Sequence, residues 1–356
     1  MYDITIIGAG PAGSTLAHLL GSKYKVLLID RRDLTKDNDS YFEKCCGGLI
    51  APDAQQMLAK LGLGVPKEIL VGPQLFTVRT IDIQNDIERY YQRHYINIDR
   101  ELFDRWLVSM MPSSVDTRFG SLFKSYDISV NNGNIRIQFC HKGKEYNEET
   151  KYLVGADGAF STVRRQLVPD LYQRSYISIQ EWFQVSENQP YFSAIFDKDI
   201  SDFYSWTIPK ENYLIIGAAI LPKDNVINKF NLLKERLAKR GFKYQSSMKK
   251  NGAFILRPKN LKQIFIGKGN VALIGEAAGW ISPTSAEGLS YAFRSAVALA
   301  KSIEKKPGNL VGEYFKNTQD LRMNIIQKNL KLPFMYDSLL RKAVMKSGLL
   351  SMNIYE

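Results

Sequence analysis

The chain has 356 residues, 45% of them hydrophobic and 24% charged, and its 48 Lys and Arg against 36 Asp and Glu leave a net charge of +12. That composition supplies a large core for one elaborate domain or two and excludes the disordered and fibrous classes, and no stretch reaches the roughly 18 to 20 apolar residues of a membrane span. The positive charge leaves three kinds of partner open (nucleic acid, an anionic membrane surface, anionic small molecules), but the lysines are spread out and no arginine-rich run is interleaved with aromatics, so nucleic acid is not expected.

Met1 leads straight into an apolar strand, which leaves no room for a secretory signal and makes the cytoplasm the expected compartment. The strand runs into Gly8-x-Gly10-x-x-Gly13, a helical stretch follows from Ser14 to Leu20, and a second apolar strand ends at Asp30. This is a dinucleotide-binding βαβ unit: Gly8 permits the turn, Gly10 lets backbone approach a pyrophosphate, Gly13 lets helix and strand pack closely, and Asp30 accepts from a ribose hydroxyl. After a polar stretch to Glu43 comes Lys44-Cys45-Cys46-Gly47-Gly48, where the glycine pair marks a close backbone approach, and then a helix over Ala54 to Leu61. Three cysteines, two of them adjacent, cannot build a disulfide framework, and His18, His94 and His141 lack metal-ligand spacing, so reduced thiols and no metal are expected.

Ile69 to Ile87 reads as alternating strands, Tyr90 to Tyr95 as another, and Asp99 to Met110 as an amphipathic helix with Arg100 near its start. Asn131 to Asn134 reads as a hairpin turn, and a short strand at Tyr152 to Val154 ends in Gly155-Ala-Asp157-Gly158. Ile177 to Ile220 is mostly strand. Tyr204 and Trp206 lie two apart and share a face there, and Trp182 and Tyr213 fall on neighbouring strands, so the four either wall an apolar tunnel or fill the sheet-to-core interface. A third glycine segment, Gly275-Glu276-Ala-Ala-Gly279, precedes Glu287-Gly288-Leu289, which opens a long helix. From Tyr314 onward the chain reads as basic, leucine-bearing helices that either lie on an anionic membrane surface or cap the second domain.

The order of the three glycine segments resembles the flavoprotein group typified by aromatic hydroxylases, in which they wrap one extended FAD. Glu276 stands where that pattern has Asp, and Gly279 where hydroxylases commonly carry His. Within the group the chain resembles the geranylgeranyl reductase family, through Cys46-Gly47, Tyr204-x-Trp206-x-x-Pro209, and Gly275-Glu276-Ala-Ala-Gly279 with Glu287-Gly288-Leu289. The resemblance implies that Gly8, Gly10, Ala12 and Gly13 line the pyrophosphate and that Asp30 holds the adenosine ribose. It further implies that Cys46, Gly47 and Arg100 contact the cofactor, that Asp157 supports FAD and a reductant, and that Gly275, Glu276, Gly288 and Leu289 follow the ribityl chain and flavin ring. Cys46 keeps two readings, a thiol that tunes the flavin or donates a proton, with Lys44 supplying the electropositive setting, or an inert packing residue; Cys45 is expected to point elsewhere and be buried.

The expected fold is α/β, α+β overall: a doubly wound FAD-binding domain (1–60, 96–170, 262–300), a mostly antiparallel substrate domain with Trp182, Tyr204, Trp206 and Tyr213 as its wall (61–95, 171–261), and a helical carboxyl-terminal segment (301–356). The implied activity is FAD-dependent reduction of C=C bonds in an apolar, isoprenoid-type lipid, with NAD(P)H or a ferredoxin-like protein as electron donor. The tail would allow a peripheral position at the inner face of the membrane. Monooxygenation of an aromatic or polyketide-like substrate is the alternative within the group, and an FAD-bearing RNA-binding or RNA-modifying protein the alternative outside it.

Overall fold

A strand that is apolar at nearly every position needs cover on both faces, and Tyr2–Ile7 and Val26–Asp30 receive it. The structure, a computed structural model, describes residues 1–35, 45–128, 133–305 and 308–354. Its strands are β1 (Tyr2–Ile7), β2 (Val26–Asp30), β3 (Leu49–Ile50), β4 (Leu75–Asp82), β5 (Ile87–Asn97), β6 (Asp116–Phe119), β7 (Ser121–Ile128), β8 (Ile135–His141), β9 (Lys144–Gly155), β10 (Ser175–Gln184), β11 (Phe192–Phe196), β12 (Ser205–Lys210), β13 (Tyr213–Ile220), β14 (Ser247–Leu256), β15 (Gly267–Lys268), β16 (Val271–Leu273) and β17 (Ser351–Met352). Its α-helices are α1 (Pro11–Leu20), α2 (Pro52–Lys60), α3 (Arg100–Ser109), α4 (Thr162–Leu167), α5 (Val226–Lys239), α6 (Leu289–Glu304), α7 (Leu310–Asn317), α8 (Gln319–Tyr336) and α9 (Ser338–Ser347).

The described residues fall into two units, and each is assembled from three separate stretches of chain. The first takes residues 1–35, 101–174 and 256–327. Its sheet runs β15-β16-β9-β1-β2-β6, with β16, β9, β1, β2 and β6 parallel and β15 antiparallel at the edge. One face packs Ile4, Ile6, Val26 and Leu28 against Leu16 and Leu20 of α1 and Leu299 and Ile303 of α6. The opposite face buries Ile7, Leu27, Ile29 and Leu153 under Phe123 of β7 and Ile135, Ile137 and Phe139 of β8. β7 and β8 form an antiparallel pair that continues from β9. The 12-residue β9 is longer than the sequence suggested, because its polar, exposed first half carries no apolar signal and is held by β8 alone. Positions 131 and 132 of the expected hairpin turn lie outside the described residues.

The second unit takes residues 45–100, 175–255 and 328–354 around a sheet ordered β14-β10-β13-β12-β11-β4-β5-β17, with β11 and β4 its parallel pair and β3 joined to β5. Phe230, Leu233 and Leu237 of α5 cover one face through Ile179, Phe183, Leu214 and Ile216. The fold is therefore α/β, with a doubly wound sheet, a mostly antiparallel sheet and a helical carboxyl terminus. Several stretches group differently from the sequence reading: residues 96–100, with Arg100, go with the second unit, and 171–174 and 256–261 go with the first. Residues 45–60 go with the second unit, since Leu49 and Ile50 pair with Asn97 and Ile96 of β5. The tail divides: Leu321 and Ile325 are buried in the first unit's core, whereas residues 328–354 belong to the second. No helix among the described residues is long and apolar enough to cross a membrane.

Candidate functional site

The three glycine segments, far apart in sequence, meet in the first unit at the start of α1. Gly8 has φ 106°, a conformation that side chains disfavour, and a Cβ there would strike the Ala156 carbonyl beside Asp157. Gly13 lies against the carbonyl oxygen of Gly8, which closes the turn between β1 and α1. Gly275 faces Ala12, where an added Cβ would come 3.0 Å from the Ala12 methyl. Gly10, the N-cap of α1, is different: a Cβ there would meet nothing within 4 Å, so its open side is where an incoming phosphate could approach the helix N-terminus.

Around that turn the acids are held by the protein itself. Asp30 Oδ2 accepts from the Ala9 N–H at 2.7 Å, and both its oxygens accept from Arg32, through Nε and Nη2 at 3.2 Å each. Arg32 also reaches buried Asp104 of α3 at 3.0 Å. Burial disfavours the Arg32 charge, but the attraction of Asp30 and Asp104 outweighs it and raises the guanidinium's pKa. Asp157 accepts from the N–H groups of Thr162 at 2.7 Å and Val163 at 3.3 Å through Oδ2, while its buried Oδ1 has no hydrogen-bond partner among the described residues. Desolvation lifts its pKa against the lowering effect of the Ser161 side chain and of the backbone N–H groups. Glu276 uses its longer arm to accept from the Leu256 N–H at 2.9 Å. Gly288 is the N-cap of α6 and Leu289 its first residue, both half-buried.

Arg164, to which the sequence reading gave no role, ties the segments together. Its Nη1 donates to the Ala277 carbonyl at 2.7 Å and its Nη2 to the Ala159 carbonyl at 2.6 Å, spanning the Asp157 loop and the Gly275–Ala278 turn. Burial lowers its pKa, and Asp157 and Glu276 oppose the shift. Gly10's open side, the orphaned Asp157 oxygen and the N-terminus of α1 together fit a dinucleotide cofactor.

The remaining predicted residues lie in the second unit. Arg100 Nη1 is 3.2 Å from Cys46 Sγ. Cys45 turns the other way, toward the Ser178 carbonyl at 3.5 Å, and is half-buried rather than fully so; burial pushes its thiol up to about 12. Lys44 lies outside the described residues. Gly47 packs on Ile208, and the Gly48 carbonyl accepts from Lys210 Nζ at 3.2 Å. Lys210, buried in β12, also donates to the Ile98 carbonyl at 2.6 Å. Desolvation lowers its pKa to about 8, although Cys46 and Asp99 act in the opposite sense. The sequence held a signal for it, since Trp206, Ile208 and Lys210 alternate and so share a face.

Register places the aromatics on the sheet face away from α5. Trp206 pairs with Gly217, Trp182 with Ile215 and Gln184 with Tyr213, and Gly217 has no side chain because the Trp206 indole lies over it. They form two groups: Trp182 with Tyr213, rings 6.2 Å apart, and Trp206 with Tyr204, 5.5 Å apart. Tyr204 precedes β12 and also stacks edge-on against Phe203 at 4.9 Å.

Residues 1–241 match the FAD binding domain family. The chain is 40% identical over 347 residues to protein CbrA of Escherichia coli K12, covering 98% of this chain and 97% of that protein. In fold it is similar to a geranylgeranyl bacteriochlorophyll reductase-like protein from Thermoplasma acidophilum, with a TM-score of 0.79 at 19% identity, covering 96% of this chain and 90% of that one. It is also similar to PqsL, a probable FAD-dependent monooxygenase from Pseudomonas aeruginosa, with a TM-score of 0.69 at 18% identity, covering 97% and 99%. The chain belongs to the FAD binding domain family of FAD-dependent oxidoreductases.

Proposed function

We propose that this FAD-binding oxidoreductase reduces carbon–carbon double bonds of an elongated apolar lipid of the isoprenoid type. The observation that carries the reading is the sheet face away from α5, where Trp182, Trp206 and Tyr213 share one side of a sheet with Ile208 and Ile215 between them. Trp182 and Tyr213 are half-buried there and offer apolar surface to a hydrocarbon chain, whereas Trp206, Ile208 and Ile215 are buried, Ile208 against Gly47. The likeness to a reductase-like fold agrees with it, and the likeness to a monooxygenase keeps hydroxylation as the competing outcome of the test.

Bound FAD, once reduced, supplies hydride. Gly10 leaves space for its pyrophosphate, Asp157 Oδ1 offers an acceptor for a donor group of the cofactor, and Arg164 keeps the two loops in register. Lys210 clamps the carbonyls of Gly48 and Ile98 and so fixes the segment that carries Cys46. Arg100 donates toward Cys46 Sγ and orients the thiol, whose proton would complete the second carbon of the double bond.

The experiment is an anaerobic single turnover of chemically reduced protein with a panel of prenyl lipids, read by mass spectrometry. Gain of two hydrogens is expected, and Trp206→Phe, which keeps a ring over Gly217, lowers turnover by about 10-fold with FAD retained. No reduced lipid, together with oxygen insertion into a compact aromatic substrate in air, replaces this reading with the monooxygenase. Running NAD(P)H and a ferredoxin-like donor in parallel assigns the reductant.

A further inference from the structure

The carboxyl-terminal stretch of the second unit is fixed on its inner side and apolar on its outer side. Buried Arg341 of α9 donates through Nε to buried Asp82 at 2.7 Å, and Arg89 Nε donates to the Met345 carbonyl at 2.9 Å. β17 then pairs with β5 at Ser351–Tyr91 and Met352–Tyr90. These ties set the rotation of α9 and leave Leu339 76% exposed, Leu349 65% and Leu350 83%. In the second half of α8, Leu330 at 70% and Phe334 at 53% sit four residues apart, on one stripe. Exposed leucines normally occur singly, whereas here six large apolar side chains, Leu340 among them, stand in solvent between positions 330 and 350. Leu350 also has φ 61°, in the left-handed region, two residues after Gly348 at φ 65°. A bulky residue is rarely held there, and in this turn the conformation goes with outward projection.

The charges beside these side chains are mostly lysines, with one acid among them. Lys331 and Lys346 are exposed and Lys342 half-buried, while Asp337, the acid of this stretch, is occupied as the N-cap of α9 through the Leu339 and Leu340 N–H groups. Apolar side chains flanked by lysines complement a surface that is hydrocarbon below and anionic above. We propose that residues 330–350 dock the second unit on an anionic phospholipid bilayer, with the leucines and Phe334 entering the acyl boundary and the lysines meeting headgroup phosphates. The surface rests on its own observations and does not require that the bound lipid be the substrate.

The test is flotation of the full FAD-loaded chain with vesicles of phosphatidylcholine alone or of phosphatidylcholine and phosphatidylglycerol at 3:1. Binding to the anionic vesicles, weak binding to the neutral ones and release by salt are expected. The variant Leu339→Ser with Leu349→Ser and Leu350→Ser, checked for unchanged flavin absorbance and circular dichroism, should bind at least about 10-fold more weakly. Lys342→Glu with Lys346→Glu keeps the leucines and should abolish the preference for the anionic vesicles. The proposal is overturned if the wild type ignores anionic vesicles or if the variants bind as it does. A wild-type dimer that the leucine variant dissociates, without vesicle binding, assigns the patch to self-association instead.

Discussion

Lys210 shows how much a single buried charge sets locally. Above pH 10.5 the ammonium is deprotonated in folded and unfolded chains alike; between about 8 and 10.5 only the unfolded chain keeps its proton, and below about 8 both carry it. Stability contributed by this residue therefore rises across that window, by on the order of 3 kcal/mol. Lys210→Met should flatten the rise in urea midpoint between pH 8 and 10.5 relative to wild type, and parallel curves for the two proteins would refute the assignment. The neighbouring cysteines should part company. Cys46→Ser, which removes the thiol facing Arg100, is expected to change flavin potential or turnover, whereas Cys45→Ser, whose thiol faces the Ser178 carbonyl, leaves both unchanged. Identical redox titrations for the two variants would make Cys46 a packing residue.

At the scale of elements, the turn from β1 into α1 separates two kinds of glycine. Gly13→Val drives a side chain into the Gly8 carbonyl and should cost more than about 3 kcal/mol as well as the cofactor. Gly10→Val has room, and its extended ψ of −179° suits the new residue, so thermal stability should fall by about 1 kcal/mol or less while bound flavin is lost. Flavin content and melting temperature measured on both variants decide this, and a Gly10 variant that stays yellow would place the phosphates elsewhere. α4 works across elements, and Arg164→Ala leaves two carbonyls without their donor, at about 2 kcal/mol and with weaker flavin retention.

Across the whole molecule the chain passes between the units five times, between 35 and 45 and at 100/101, 174/175, 255/256 and 327/328, so neither unit is a continuous stretch that could be cut out by one truncation. Contacts of long sequence separation hold each one. Asp82 is raised by burial, but the hydrogen bonds from Arg341 and Asn85 prevail and hold its carboxyl below the usual range. Its stabilising effect is present above pH 3.8 and disappears as pH falls through the lower folded value. Arg341→Ala strands that buried acid and should cost about 3 to 5 kcal/mol. Hydrogen exchange should then show protection lost in β4 and β5 and kept in β1 and β2, and equal loss in both sheets would argue that the units unfold as one.

Much of the first unit was legible in the sequence because its signals are local. The mostly apolar run at Ile4–Ile7, broken only by Thr5, and the unbroken one at Val26–Ile29 demand a sheet covered on both faces, and the spacing Gly8, Gly10, Gly13 encodes backbone that must come close to something. The apolar alternation in the Tyr204–Pro209 stretch likewise announced a shared face. What the sequence could not supply were partners. That Arg32 and the Ala9 N–H occupy Asp30, that Arg164 joins carbonyls at 159 and 277, and that Lys210 meets Gly48 and Ile98 depend on residues up to 162 positions apart. Residues 45–60 went to the second unit for the same reason: a two-residue strand has almost no signal of its own, and only the presence of Asn97 and Ile96 beside it determines where it pairs. Period and glycine placement are properties of neighbours in sequence, whereas the occupancy of a carboxylate or a carbonyl is settled only when the chain closes on itself.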